Sequence, residues 1–297
     1  MKSTASVIAA AMLSIAPAAA QQRDFSKVEI KLEQLAPGVA VLFGAGGNIG
    51  LSYGEDGNVL VDDQYAPLTD RIVAAVKSVD PDPVKFVINT HWHGDHSGGN
   101  ENLGKAGAVI VAHDNVRRRM SIEQFSKLFG TTPASPKAAL PVVTFGHGVT
   151  LHLNGDEIRL VHVSRAHTDG DTLVYWTKAN VLHMGDTFFH KVTLPFIDLD
   201  SGGSIDGAIA AVRSALQLAN PDTKIIPGHG PVATRAELEA YLAMLVDVRD
   251  KISAAMAAGS SLEAVKAANP AKPYEVPGAF ISADAFAEAV YNSLPGN

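Results

Sequence analysis

The segment His91-Trp92-His93-Gly94-Asp95-His96 puts four metal-competent side chains into six positions. It follows Phe86-Val87-Ile88-Asn89, an apolar run that reads as a buried strand. Side chains two apart on an extended segment point the same way, so His91 and His93 face one cavity. The turn at Gly94 brings Asp95 and His96 to the other side of that cavity. One strand end can therefore serve two metals. Imidazole nitrogen and carboxylate oxygen suit a borderline cation such as zinc, and a site without thiolate leaves room for a bound water. The chemistry expected is hydrolysis at a dinuclear zinc centre.

Such a centre needs further donors, and the second half of the chain offers three at strand ends. His167 follows a strand ending at Val163, Asp186 follows Val181-Leu182-His183-Met184-Gly185, and His229 sits in Pro227-Gly228-His229-Gly230 after Ile225-Ile226. The elements that must position them can be read from turn and periodicity signals. Residues 28–62 form short β-like runs between Gly-rich turns, an antiparallel meander. A helix with Ile72, Val73 and Val76 in register stops before Pro81. After the histidine-rich strand come a short helix near Glu101, a strand at 109–111 and a basic helix through Arg117, Arg118 and Arg119.

A looser Pro-containing stretch, 131–141, separates the halves. Strands are expected at 149–153 and 157–163 around an Asn154-Gly155 turn, then at 173–176 and 181–184. A helix over 206–218, a strand at 224–226 and a mostly helical C-terminal part follow. Two β-then-α halves suggest packed sheets with helices outside and a site at their junction.

The 297 residues are 46% apolar, enough for a sizeable core. Acidic residues outnumber basic ones 31 to 24, and a net charge of −7 argues against nucleic acid as a partner. Lys2, an apolar stretch over 7–15 and Ala18-Ala19-Ala20 have the form of a secretory signal over residues 1–20, pointing to export, in a bacterium to the periplasm. The stretch is too short to span a bilayer, and no membrane span is expected in the mature protein. The chain has no cysteine, so neither a disulfide nor a thiolate ligand is available.

The ordered set of HWHGDH, His167, Gly185-Asp186 and Gly228-His229-Gly230 resembles the signature of the metallo-β-lactamase superfamily, with a class B1-like layout. The resemblance covers residues 28–230. It implies an α/β fold, a four-layer αβ/βα sandwich with the site at the junction of the halves, and a C-terminal helical extension, 231–297, packed on the same domain. It further implies two Zn²⁺ ions, with His91, His93 and His167 on the first, Asp95, His96 and His229 on the second, and Asp186 bridging. A metal-bridging hydroxide would attack a carbonyl carbon, with Asp95 orienting it and taking its proton. Two Zn²⁺ against Asp95, Asp186 and one hydroxide leave about one positive charge, which favours a small anionic substrate.

The superfamily spans many substrates, and β-lactams, lactones, esters and thioesters all stay open. Relatives that cleave β-lactams carry Cys where Asp186 stands and a Lys three residues later, where this chain has Phe189. His190 or Lys191 is a candidate to replace that Lys, and Phe188, Phe189, Pro195 and Phe196 to form an apolar wall. Asp at the bridging position resembles the glyoxalase II-like and lactonase branches. An iron-dependent dioxygenase of sulfur compounds is the alternative of a different class, and a metal-bound binding module a third. His183, Asp169 and Asp171 are candidates to orient metal ligands, and the Gly44 to Asn48 turn is either a tight hairpin or a flap over the cleft. His113, His147, His152 and His162 read as structural. The oligomeric state is not readable from the sequence.

Overall fold

Gly-rich turns cut the first third of the chain into strands short enough to pair in sequence order. β1 (Lys31–Ala36), β2 (Val39–Phe43), β3 (Ile49–Ser52) and β4 (Asn58–Val61) form the expected antiparallel meander. The structure, a computed structural model, describes residues 24–295, so the secretory-signal segment lies outside the described residues. Helix α1 (Thr69–Lys77) carries the chain to β5 (Val84–Ile88), which pairs with β4 in parallel. Helices α2 (Gly94–Ser97) and α3 (Asn100–Lys105) lead to β6 (Val109–His113), and α4 (Asp114–Met120) follows.

Between α4 and the second half the sequence suggests only a loose stretch. A small hairpin, β7 (Gln124–Ser126) and β8 (Gly130–Thr132), stands there apart from both large sheets. Its strands are too short and too exposed to show an apolar alternation. β9 (Val143–Phe145) then closes a seven-stranded sheet in the order β1-β2-β3-β4-β5-β6-β9.

The second sheet is β10 (Gly148–Leu153), β11 (Asp156–His162), β12 (Thr172–Trp176), β13 (Val181–His183) and β14 (Lys224–Ile226), in that order. β10 and β11 meet at Asn154-Gly155, both at positive φ, the backbone that a two-residue hairpin turn demands. Helix α5 (Ile205–Leu218) crosses back to β14, which joins β13 in parallel. The C-terminal part is α6 (Arg235–Ala257), α7 (Leu262–Ala268) and α8 (Ala283–Ser293).

Period-two alternation builds four layers from these elements. Val59 and Val61 of β4 point to the other sheet and meet Ile158, Leu160, Val174, Trp176 and Ile226 in the central core. Leu60 between them points outward and packs with Leu68, Ile72 and Val76 around α1. On the far face Leu173, Leu182 and Ile225 pack under α5, α6 and α8 through Val212, Leu245, Val248 and Phe286. Each such buried side chain contributes roughly 1.5–3 kcal/mol, so the sheets are fixed and the loops at one rim can carry function. The result is the αβ/βα sandwich expected from the sequence. Among the described residues no helix is long and apolar enough to cross a membrane.

Candidate metal centre

The ligand loops emerge at one rim of the two sheets. β5 ends at Ile88, and Thr90, His91 and His93 follow before α2 begins at Gly94. The parallel neighbour β4 leads into Asp62, a fully buried carboxylate. It accepts hydrogen bonds from Thr90 N and Thr90 Oγ1, both at 2.7 Å, and so pins the start of the histidine loop.

His91, His93, His167 and Asp186 each bring one donor atom within 4.8 Å of the others, and Asp95, His96 and His229 form a second group of the same kind. Asp186 stands between the groups. Its Oδ2 lies 3.9 Å from His91 Nε2 and 3.7 Å from His167 Nε2. Its Oδ1 lies 3.0 Å from His96 Nε2 and 3.4 Å from His229 Nε2. One carboxylate thus addresses both groups, one oxygen each.

The donor set fits divalent metal, because outer hydrogen bonds fix which ring nitrogen is left with a lone pair. His93 Nε2 donates to Asp198 Oδ2 at 2.9 Å, which turns Nδ1 inward as the donor atom. His167 Nδ1 donates to the Phe196 carbonyl at 2.7 Å, and His96 Nδ1 donates to Asp62 Oδ2 at 2.7 Å. Thr90 Oγ1 spends its proton on Asp62 and accepts from His91 Nδ1 at 3.0 Å. The inward nitrogens of His91, His93 and His167 then face each other at 3.1 and 2.9 Å with no proton to share. Asp186 Oδ1 is likewise buried, with only His96 Nε2 and His229 Nε2 in front of it. Lone pairs so crowded repel unless a cation sits among them.

Residues 43–229, which hold all seven donors, match a family described as the metallo-beta-lactamase superfamily. The chain belongs to that superfamily. The two donor groups both lie within the matched stretch. Among curated relatives it is 27% identical over 107 residues to a hydroxyacylglutathione hydrolase of Erythrobacter litoralis (strain HTCC2594), covering 36% of this chain and 35% of the relative. It is 28% identical over 141 residues to a 2,4-dinitroanisole O-demethylase subunit alpha of Nocardioides sp. (strain JS1661), covering 46% of this chain and 39% of the relative. The matched segments thus span little more than a third of those proteins. Among solved structures, a metallo-beta-lactamase from Pontibacter korlensis superposes with a TM-score of 0.61 at 18% identity, over 74% of this chain and 100% of that one. The sec-alkylsulfatase Pisa1 from Pseudomonas sp. superposes with a TM-score of 0.67 at 18% identity, over 90% of this chain and 50% of that one. At these identities the two structures speak for the fold.

Charge divides the two donor groups of this superfamily member. Burial and the neighbouring His96 hold His91 well below the usual imidazole range, and burial with His93 lowers His167 to about 4. In the second group burial opposes charge, yet Asp186, Asp95 and Asp62 lift His96 well above its ordinary value. His229 rises to about 9 for the same reason, burial being outweighed by Asp186 and Asp95. A ligand histidine must be neutral. Filling the first group at pH 7 therefore draws no proton from His91 or His167, whereas filling the second must displace protons from His96 and His229. Apparent affinity at the second position should climb as pH rises toward 9 and fall as pH drops. Calorimetric metal titration in buffers of different ionisation enthalpy reads this directly, and a proton release equal at both positions would contradict it.

The other residues singled out in the sequence fall into two sets. Phe189 is buried, borders the cavity in front of the centre and stacks on His229 at 5.6 Å and 2°. His190 and Lys191 are turned away. Phe189 bridges to His229 in extended backbone, so the next residue faces the opposite side. Lys191 adopts positive φ, which swings its side chain outward. His190 donates to the Pro231 carbonyl at 2.9 Å, and Lys191 Nζ lies 2.6 Å from Glu237, which completes the capping box of α6 with Thr234. Neither borders the cavity, which corrects the expectation that one of them grips substrate.

Asp169 pairs with Arg119, and Asp171 accepts from Thr168, so they brace the loop after His167 rather than its ring. His183 accepts from Gly185 N and donates to the Asn48 carbonyl, tying the Asp186 loop to the 44–48 turn. That turn is no free flap. Gly47 N donates to the Asp95 carbonyl and Asn48 N to the Gly228 carbonyl, and a Cβ at Gly47 would overlap the His96 ring. A Cβ at Gly228 would likewise overlap Asp186. Of the remaining histidines, His113 and His162 stack at 3.6 Å, while His147 and His152 are exposed.

Sequence reasoning missed Asp62 as the partner of His96 and Asp198 as the partner of His93. A carboxylate directly after a buried strand that neighbours the histidine strand is the signal for Asp62. Asp198 lies on a loop with no such mark.

His93, Asp95, Asp186 and His229 open onto a cavity of about 330 Å³. Phe129, Phe189, Val192, Phe196 and Phe280 also line it, and among its described lining residues there is no Lys or Arg. The anionic substrate expected from the charge count thus finds no cationic side chain here.

Proposed function

We propose that this chain is a zinc-dependent hydrolase with a dinuclear centre that opens an ester, thioester or lactone, and that it works after export. The observation that carries the reading is Asp186, whose two oxygens address two separate sets of histidine donors. Two zinc ions bound there would polarise a carbonyl and bring the pKa of a bound water close to neutrality. His91, His93 and His167 are suited to hold the first ion, Asp95, His96 and His229 the second, and Asp186 to join them.

Asp95 is the base. Although burial opposes its charge, His96 and the hydrogen bond from His229 hold its carboxyl at about 2, so it is ionised throughout the neutral range. It lies at the cavity side of the second group, where it can orient a water and accept its proton. Phe189 and Phe196 cover the histidines and keep bulk water from the reacting carbonyl. One relative is a hydroxyacylglutathione hydrolase, a name in keeping with an acyl substrate. Export rests on the composition of residues 1–20.

β-Lactams are the weaker reading, because no cationic side chain lines the cavity to meet their carboxylate. The test is side-by-side hydrolysis of a thioester, a simple lactone and a chromogenic cephalosporin by the zinc-loaded protein. Thioester or lactone cleavage with kcat/KM on the order of 10⁴ M⁻¹s⁻¹, lost with EDTA, is expected, with the cephalosporin far slower. A cephalosporin preferred over both would overturn the substrate assignment.

A further inference from the structure

Three separate chain segments deliver phenylalanines to the mouth of the cavity. Phe129 comes from the turn of the β7–β8 hairpin, Phe196 from the loop after Lys191, and Phe280 from the segment before α8. Phe129 and Phe280 are parallel at 8° with centroids 6.2 Å apart, and Phe196 stands edge-on to both at 5.7 and 6.2 Å. The box is continuous with the metal ligands, since Phe196 stacks on His93 at 5.9 Å and 19°. Phe280 and Phe129 are nevertheless 59% and 51% exposed. Two large apolar rings held open to water beside a catalytic centre are a surface that gains from being covered.

Phe280 is not on a loose tail. Its neighbour Ile281 is buried in the core under α5, α6 and α8, and Ile281 N donates to Thr193 Oγ1 at 2.9 Å, itself a cavity residue. Phe280 also lies beyond residues 43–229, the part that matches the superfamily. Lys191 is engaged by Glu237 and Arg119 by Asp169.

We infer that Phe129, Phe196 and Phe280 form an acyl-chain pocket, and that the preferred substrate is a neutral carbonyl compound carrying an extended apolar or aryl arm. The C-terminal segment is then a specificity element, because it supplies Phe280. This rests on the hydrolase reading for its substrate, although the pocket itself binds with or without turnover. The apolar arm lies among the three rings while the scissile carbonyl faces Asp95 and Asp186. A carboxylate at the end of that arm would lose its water to an apolar wall with no cation to meet it.

Two readouts test this. The first is binding of uncharged, non-hydrolysed N-methyl alkanamides by calorimetry. Kd should fall about three- to fourfold for each added methylene from butanoyl to octanoyl, flatten in Phe280→Ala, and keep its slope in Phe125→Ala, an exposed hairpin phenylalanine outside the cavity lining. The second is kcat/KM over acetyl to octanoyl thioesters, with a succinyl member as the charged counterpart of butanoyl. A rising series with succinyl poorest supports the pocket. Chain-length-dependent amide binding with no thioester cleaved would sustain the pocket and overturn the hydrolase. Thioesters cleaved at rates independent of length, with amides unbound or their slope intact in Phe280→Ala, would overturn the pocket and leave the hydrolase standing.

Discussion

Asp95→Asn should cut kcat by roughly 10²–10⁴-fold, the usual cost of losing a positioned base, while bound metal stays above one ion per chain. The side chain keeps its shape but loses its charge and its capacity to accept a proton. The first donor group does not include Asp95, so its ion is retained. The same substitution removes one of the charges that lift His96 and His229. Fewer protons should therefore be displaced when the second position fills. Metal analysis and turnover on one preparation check this, and loss of both ions together with activity would give Asp95 a purely structural role.

Asp186→Ala acts on both groups at once, and its largest effect falls on the second position. The first group keeps three histidines, whereas the second keeps Asp95 and two histidines with nothing to join them to the first. Loss of an outer partner of a ligand typically costs 10–100-fold in affinity, and losing the shared ligand itself should exceed about 100-fold. His96 and His229 also lose the carboxylate that contributes most to raising them, which eases proton competition at the second position without replacing the lost donor. Dialysed protein should then hold one ion per chain and turn over slowly. Two ions retained after dialysis would contradict the bridging role.

The seven donors are legible in the sequence because each follows an apolar run that must be a buried strand, and because HWHGDH concentrates four of them. The meander and the two β-rich halves are legible for a related reason: Asn154-Gly155 and the glycine clusters mark turns whatever the tertiary context. The outer partners are harder to see. Asp62 looks like an ordinary polar residue at a strand end until β4 and β5 pair in parallel and bring it under Thr90 and His96. His190 and Lys191 look well placed by spacing alone, but the extended backbone at Phe189 and the positive φ of Lys191 decide which way they face. Phe129 and Phe280 are 151 positions apart by number, and no local pattern joins them. Only the placement of the hairpin and the C-terminal segment around one cavity does so.

The most direct test of a two-metal hydrolase is a zinc titration of metal-free protein, with thioester hydrolysis followed at each addition. Activity should stay low through the first equivalent, which fills the three-histidine group, and rise to a plateau at two equivalents. Full activity at one equivalent would contradict the dinuclear reading. A protein that takes up iron in preference to zinc, and consumes oxygen instead of cleaving thioester, would contradict the hydrolase itself.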